Sequence, residues 1–224
     1  MSGLAATQGD RYTRFIRYPR IENAFPDHKR VAVPNAKSNP QMVLRPQDLL
    51  VLLRLSLDVA SGDAPSYAAL AADLGLTASE VHAAVTRAVA AQLALKDPSG
   101  RPRVQLEPLR LFVQHGARYC FPPTRGPQTR GMPTGYAADP LNAAIRSPAG
   151  EPPPVWPDKN GTARGETLHP LYPSVPQAAL NNKPLYELLA VFDAIRAGSA
   201  RERALAVKWL DERWADAAAA VATP

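Results

Sequence analysis

The sequence predicts a mainly α-helical fold, on three observations. Leucines and other apolar residues recur at helical spacing over residues 45–60 and again over 185–195. Capping boxes at Thr77-Ala78-Ser79-Glu80 and Ser199-Ala200-Arg201-Glu202 mark two helix starts. Between the helical regions the periodicity lapses where fourteen of the twenty-four prolines gather, in residues 121–184. A chain of 224 residues is long enough for one large domain or two small ones with a substantial core.

Residues 1–42 contain little periodicity, and Pro26, Pro34 and Pro40 argue against a long regular element there. The net charge of +6 is concentrated at this end: residues 1–46 hold eight Lys/Arg against three Asp/Glu, and the rest of the chain is close to neutral. Arg11, Arg14, Arg17 and Arg20 recur every third residue, interleaved with Tyr12, Phe15 and Tyr18. Guanidinium groups suit phosphate contact and aromatics suit stacking. The segment reads as a basic, partly flexible arm, which either touches phosphates or a minor groove or is a solvated tail.

A helix follows from about Arg45 to Ala60, with Pro46 in its first turn and Asp48 complementing its dipole. Leu49, Leu50, Leu52, Leu53, Leu55 and Leu57 make it apolar on most sides, so it is expected as the central core helix. Ser61-Gly62-Asp63-Ala64-Pro65 breaks it. Residues 66–94 then read as two short helices joined by a tight turn at Gly75, where a positive φ favours glycine. Leu70, Leu74, Leu76, Val81 and Val85 let the two helices share a small core, and Ala71 allows close approach. This is the layout of a helix-turn-helix, whose second helix lies in the DNA major groove.

The spacing Ala71, Gly75, Val81 resembles the small–Gly–aliphatic pattern of bacterial helix-turn-helix regulators, and the run from Ser66 to Leu93 is similar to the winged variant of MarR-like repressors. The resemblance covers about thirty residues of the chain. It implies a winged helix-turn-helix domain over residues 43–120. Lys96-Asp97-Pro98-Ser99-Gly100-Arg101-Pro102-Arg103-Val104 carries turn chemistry flanked by Lys96, Arg101 and Arg103, where such a domain places its wing. Pro102 makes the wing short or irregular.

Residues 106–120 read as a further helix with Leu109, Phe112, Val113 and Gly116 on one face, Gly116 at a close packing contact. Residues 121–184 hold Phe121, Met132, Tyr136, Leu141, Trp156, Leu168, Leu171 and Tyr172, too many apolar groups for a linker. An extended, ordered wrap is expected, with a short β-hairpin around the Asn160-Gly161 turn of residues 155–164. Residues 185–220 form a C-terminal helical pair, the second helix turning Leu205, Trp209 and Leu210 inward. The pair is assigned to a homodimer interface, the alternative being packing against the leucine-rich helix of the same chain.

On the recognition helix, Thr77 is the cap, and Ala78, Ser79, His82, Ala83 and Thr86 face outward near the N-terminus. Ser79 and His82 can hydrogen-bond base edges, and Ala78 or Ala83 can meet a thymine methyl. Arg87, a turn further on, meets phosphate or pairs with an acid. This face is poor in positive charge, so affinity must come from the arm, the wing and dimerisation.

Enzymatic chemistry finds little support. Gly126 and Gly131 have the spacing of a phosphate loop, but Met132-Pro133 stand where its Lys-Ser/Thr pair belongs. Metal-binding and nucleophile-elbow motifs are absent, and His28, His82, His115 and His169 are scattered. His115 reads as a core histidine or a ligand-pocket residue. Cys120, the single cysteine, excludes an intramolecular disulfide framework and is expected as a buried apolar thiol. No apolar run approaches the roughly twenty residues of a membrane helix, and Leu4-Ala5-Ala6 leads at once into polar residues rather than a signal-peptide core.

The expectation is a cytoplasmic bacterial regulator, nucleoid-associated when bound. It is read as a dimeric repressor that binds double-stranded DNA sequence-specifically, without cofactor or metal. Two alternatives stand beside it. One is a protein-binding winged-helix module, antitoxin-like or an assembly subunit. The other is a ligand-responsive repressor whose small-molecule effector binds between the Pro-rich segment and residues 106–120.

Overall fold

Leucine crowding makes Pro46–Ser56 (α1) a helix with almost no wet side: Leu49, Leu50, Val51, Leu52, Leu53 and Leu55 are all buried. In the computed structural model, which describes residues 43–145 and 151–222, the core centred on α1 runs on without interruption to Trp214. The arm residues Arg11, Arg14, Arg17 and Arg20 lie outside the described residues. α1 ends at Ser56, four residues before the expected Ala60. The Ser56 hydroxyl bonds back to the Leu53 carbonyl at 2.7 Å, and the chain tightens into successive i→i+3 turns. The half-buried Arg54 bridges Asp58 on its own turn and Asp73 on the next helix.

Tyr67–Leu74 (α2) and Ala78–Ala90 (α3) follow, with Leu70, Leu74, Val81, Ala84 and Val85 buried against α1. Ala94–Lys96 (β1) and Pro102–Val104 (β2) form a short antiparallel hairpin. Its first β2 residue is Pro102, an edge position that needs no amide donor. The helix expected over 106–120 forms as three pieces, Leu106–Leu111 (α4), a π turn over Phe112–Gly116, and Ala117–Cys120 (α5). Gly116 does sit at a close contact, since a Cβ there would lie 3.0 Å from the Phe112 ring. His115 and Cys120 are exposed, which corrects the core positions expected for them: Leu109, Val113 and Ala117 take the buried face.

The Pro-rich segment builds a sheet rather than a wrap. Arg125–Pro133 (β3) pairs antiparallel with both Pro154–Pro157 (β4) and Ala163–Leu168 (β5). β4 and β5 pair with each other in parallel, so the three strands close. The hairpin expected at 155–164 is therefore absent: Pro157 and Ala163 both register on Gly131, and the turn between them passes against β3. Glycine makes that passage feasible. A Cβ on Gly131 would strike the Trp156 carbonyl, one on Gly161 the Gly131 backbone, and one on Gly165 the Pro153 carbonyl.

Val175–Asn181 (α6), Lys183–Ala197 (α7) and Ala200–Ala222 (α8) complete the chain. Asn182 caps α7 by accepting the Leu185 amide at 3.0 Å, and the Ser199–Glu202 box opens α8. α7 is buried from Leu188 through Arg196 within its own chain. Its Asp193, 1 % exposed, accepts hydrogen bonds from Thr134 Oγ1 (2.8 Å), Trp156 Nε1 (2.6 Å) and Arg196 Nε (2.7 Å). Arg196 also donates to the His169 carbonyl. Burial and the nearby Asp139 push the Tyr186 phenol up to about 12, so it stays protonated and donates to the Pro133 carbonyl. On α8 the deeply buried residues are Ala206, Leu210 and Trp214, and the expected Leu205 and Trp209 are only half-buried at its flank.

Among the described residues the fold is mixed, more than half helical, with one two-stranded and one three-stranded sheet. No helix among the described residues is long and apolar enough to cross a membrane. The expected divisions at 120/121 and 184/185 do not interrupt the shared core. Because the closed sheet meets backbone at Gly165, Gly165→Ala is expected to cost roughly 1–3 kcal/mol, read as a lowered urea midpoint. An unchanged midpoint would refute the close crossing.

Candidate nucleic-acid interface

The most prominent outward-facing element with its own stop and start signals is α3. Ser66 accepts the Ala69 amide at 3.1 Å and so opens α2. Gly75 ends α2 at φ 63°, in the left-handed region, with its amide on the Ala71 carbonyl. The Thr77 hydroxyl accepts the Glu80 amide at 3.2 Å, and the Glu80 carboxylate accepts the Thr77 amide at 2.7 Å. The Thr77 amide first, and then the Thr77 hydroxyl donating to the same carboxylate at 2.8 Å, hold the Glu80 carboxyl below its ordinary range. The two helices therefore meet at a turn whose geometry is fixed on both sides.

Ala78, Ser79 and His82 are exposed, Ala83 and Thr86 are half-buried, and the opposite face of α3 lies on α1. No described partner engages Ser79. Thr86 donates its hydroxyl hydrogen to the His82 carbonyl at 2.9 Å, which leaves that oxygen as an acceptor only. His82 packs on the Tyr67 ring with centroids 5.4 Å apart. Tyr67 was not among the residues the sequence singled out. It lies fifteen positions from His82, at the opposite end of a turn, and no local pattern links the two.

Arg87 turns away from the outward face of α3. Its Nε and Nη2 donate to both carboxylate oxygens of Asp48 at 2.7 and 2.6 Å, and Asp48 is 0 % exposed. This bidentate pair raises the Arg87 pKa and ties α3 to α1. The Asp48 carboxylate also accepts the Arg45 amide at 2.8 Å, capping α1. Of the two alternatives for Arg87, pairing with an acid is the one the geometry shows. With Arg87 paired to Asp48 and Glu80 held ionised at the cap, the exposed face of α3 presents no unpaired Lys or Arg.

The hairpin tip is organised by Asp97, whose carboxylate accepts Ser99 Oγ, the Ser99 amide and the Arg101 amide at 2.6–3.0 Å. The Ser99 hydroxyl first, then burial-opposed backbone and Arg103 contacts, lower the Asp97 pKa. Arg101 and Arg103 are exposed but lean back, donating to the Ala64 and Gly62 carbonyls at 3.0 and 2.9 Å. Each keeps further N–H donors free. Lys96 is exposed and has no ion-pair partner among the described residues. The Tyr67 hydroxyl approaches the Gly100 carbonyl at 3.4 Å, so tip and helix pair are neighbours.

Among the described residues no three His, Cys, Asp or Glu side chains converge as metal ligands. A cavity of about 330 Å³ is bounded by Met132, Ala138, Asn142, Thr162, Leu180 and Tyr186. It belongs to the Pro-rich segment and α6–α7, and residues 106–120 do not line it; Leu106, Glu107 and Arg110 border a separate groove with α8. No protein-family model matches the chain, and no curated protein or solved structure shows significant similarity to it.

Two outcomes follow from this geometry. Arg87→Ala strands the buried Asp48 charge and is expected to cost about 3–5 kcal/mol of stability, read by urea unfolding; the double variant Asp48→Leu/Arg87→Leu recovers most of it. Glu80 and Asp97 both have folded pKa values below their ordinary ones. Their contributions are present above those ordinary values and are lost as pH falls through the lowered ones. Hydrogen exchange of the Thr77 and Arg101 amides should therefore lose protection selectively below about pH 4.

Proposed function

We propose that residues 46–104 act as a winged helix-turn-helix that binds double-stranded DNA, with α3 in the major groove and the β1–β2 hairpin as the wing, in a cytoplasmic transcriptional repressor rather than an enzyme. One observation carries this reading. A helix capped at both its own start and its partner's end presents Ala78, Ser79 and His82 outward while its other face is locked to the core. Ser79 and the imidazole of His82 supply donors and acceptors for base edges, and Ala78 and Ala83 supply methyl contacts for thymine. His82 is held against Tyr67, which lowers the entropy lost when it docks. Lys96, Arg101 and Arg103 lie where phosphate contacts of a wing belong.

A two-fold protein suits a palindromic operator. α7 is consumed inside its own chain, so pairing of two copies falls to the outer side of α8. The lack of a free cation on α3 and the exposed Leu95 beside Lys96 favour a second reading, a protein-binding winged-helix module without DNA specificity.

Mobility shifts on duplex libraries discriminate between them. His82→Ala is expected to change the ranking of bound sequences, by about 1–3 kcal/mol at the base it reads. Arg101→Ala with Arg103→Ala is expected to weaken every sequence alike. A His82→Ala variant that scales all sites down equally removes His82 from the reading set, and a parent protein that shifts no duplex at low salt overturns DNA binding in favour of a protein partner.

A further inference from the structure

The closed sheet carries a feature that its own stability opposes. Arg130 on β3 and Arg164 on β5 stand directly opposite each other in antiparallel register, so their side chains share one face. Both are exposed. Like charges so placed repel, and a nearby carboxylate would ordinarily neutralise them. Here none does. Glu166, two residues along β5, is paired with Arg125. Asp158, in the adjoining turn, accepts the Asn160 amide at 2.6 Å. Neither arginine has an ion-pair partner among the described residues. Arg130 donates only Nε, to the Gly161 carbonyl at 2.7 Å, which aims the guanidinium along the turn and leaves its terminal amino groups free. Lys159, in the same turn, is exposed and unpaired among the described residues.

We propose that Arg130 and Arg164, with Lys159 beside them, form a phosphate clamp that grips the backbone of duplex DNA. The inference rests on the DNA-binding reading above and locates part of its affinity. The reading helix brings no unpaired Lys or Arg, because Arg87 is bound to Asp48 and its other charge, Glu80, is an anion at the cap. Non-specific attraction to DNA scales with the number of phosphates neutralised, so cations elsewhere on the protein must supply it. Two guanidinium groups side by side on a rigid strand pair match the forked geometry of phosphate oxygens, and an anion between them removes their mutual repulsion. The clamp holds phosphate without reading bases.

The test is the salt dependence of binding to a random-sequence duplex, for the parent chain and for Arg130→Gln/Arg164→Gln. Each phosphate contact contributes about −0.9 to the slope of log K against log salt. The double variant is expected to flatten the slope by about 1–2 and to weaken all sequences equally, while its melting temperature stays level or rises by about 1–3 °C as repulsion is relieved. If the parent binds and the variant's slope is unchanged, the clamp is refuted and DNA binding stands. If the parent binds no duplex between 50 and 200 mM salt, the DNA reading falls and the clamp with it. A third arm titrates inorganic pyrophosphate by calorimetry: binding that needs both arginines, alongside an unaltered DNA slope, identifies a small-phosphate site and overturns the backbone assignment.

Discussion

A carboxylate in the interior, that of Asp193, ties the small closed sheet to α7. It lies on α7, where the core is driest, and it collects the Thr134 hydroxyl, the Trp156 indole and the Arg196 guanidinium. Trp156 lies on β4 and Thr134 directly follows β3, and Arg196 also reaches the His169 carbonyl. Removing such a charge from water is costly, and only a full set of partners offsets the cost. Any shift of the sheet along α7 would strip partners from a buried charge, so the set also fixes register. Asp48 and Arg87 repeat the device between α1 and α3. Apolar packing supplies the cohesion, and these two carboxylates decide which arrangement of the packed elements survives.

The features legible from sequence are those set within a few residues. The Thr77 and Ser199 boxes, the left-handed Gly75 and the leucine-rich α1 each act over one turn of chain, and each forms where its residues predict. The short hairpin around Asp97 belongs with them. The outward placement of Ser79 and His82 also followed from helical periodicity alone. What stayed hidden depends on long separations. Arg87 meets an acid thirty-nine positions away, and Asp193 meets Thr134 at fifty-nine. Within α7 the apolar stripe suggested a wet side, but the sheet and α8 enclose that side too, and it is there that Asp193 and Arg196 lie. The Pro-rich segment defeated periodicity for another reason: its topology turns on Gly131, Gly161 and Gly165, and each glycine only becomes meaningful once its facing backbone is known.

Under the regulator reading, sequence discrimination and attraction are carried by different elements. α3 offers hydrogen-bonding edges and methyl groups, with Arg87 turned inward onto Asp48 and Glu80 engaged at its cap to hold it rigid. Rigidity of this kind favours selectivity, since a helix locked to the core cannot re-aim its side chains to suit a poor site. The cost is weak long-range steering by the reading helix itself, because steering depends on net field. Basic groups on the hairpin and on the closed sheet are then complementary to α3 rather than redundant with it.

The closure of β3, β4 and β5 has one more effect. Sheets usually expose border strands whose unpaired amides and carbonyls can recruit a neighbouring molecule, ending in aggregates. Where β4 closes on β3, over Gly131–Pro133, and on β5, at Pro154 and Val155, that border is covered. A segment with so many prolines and so little helix thereby offers a neighbouring molecule less free strand edge than three open strands would.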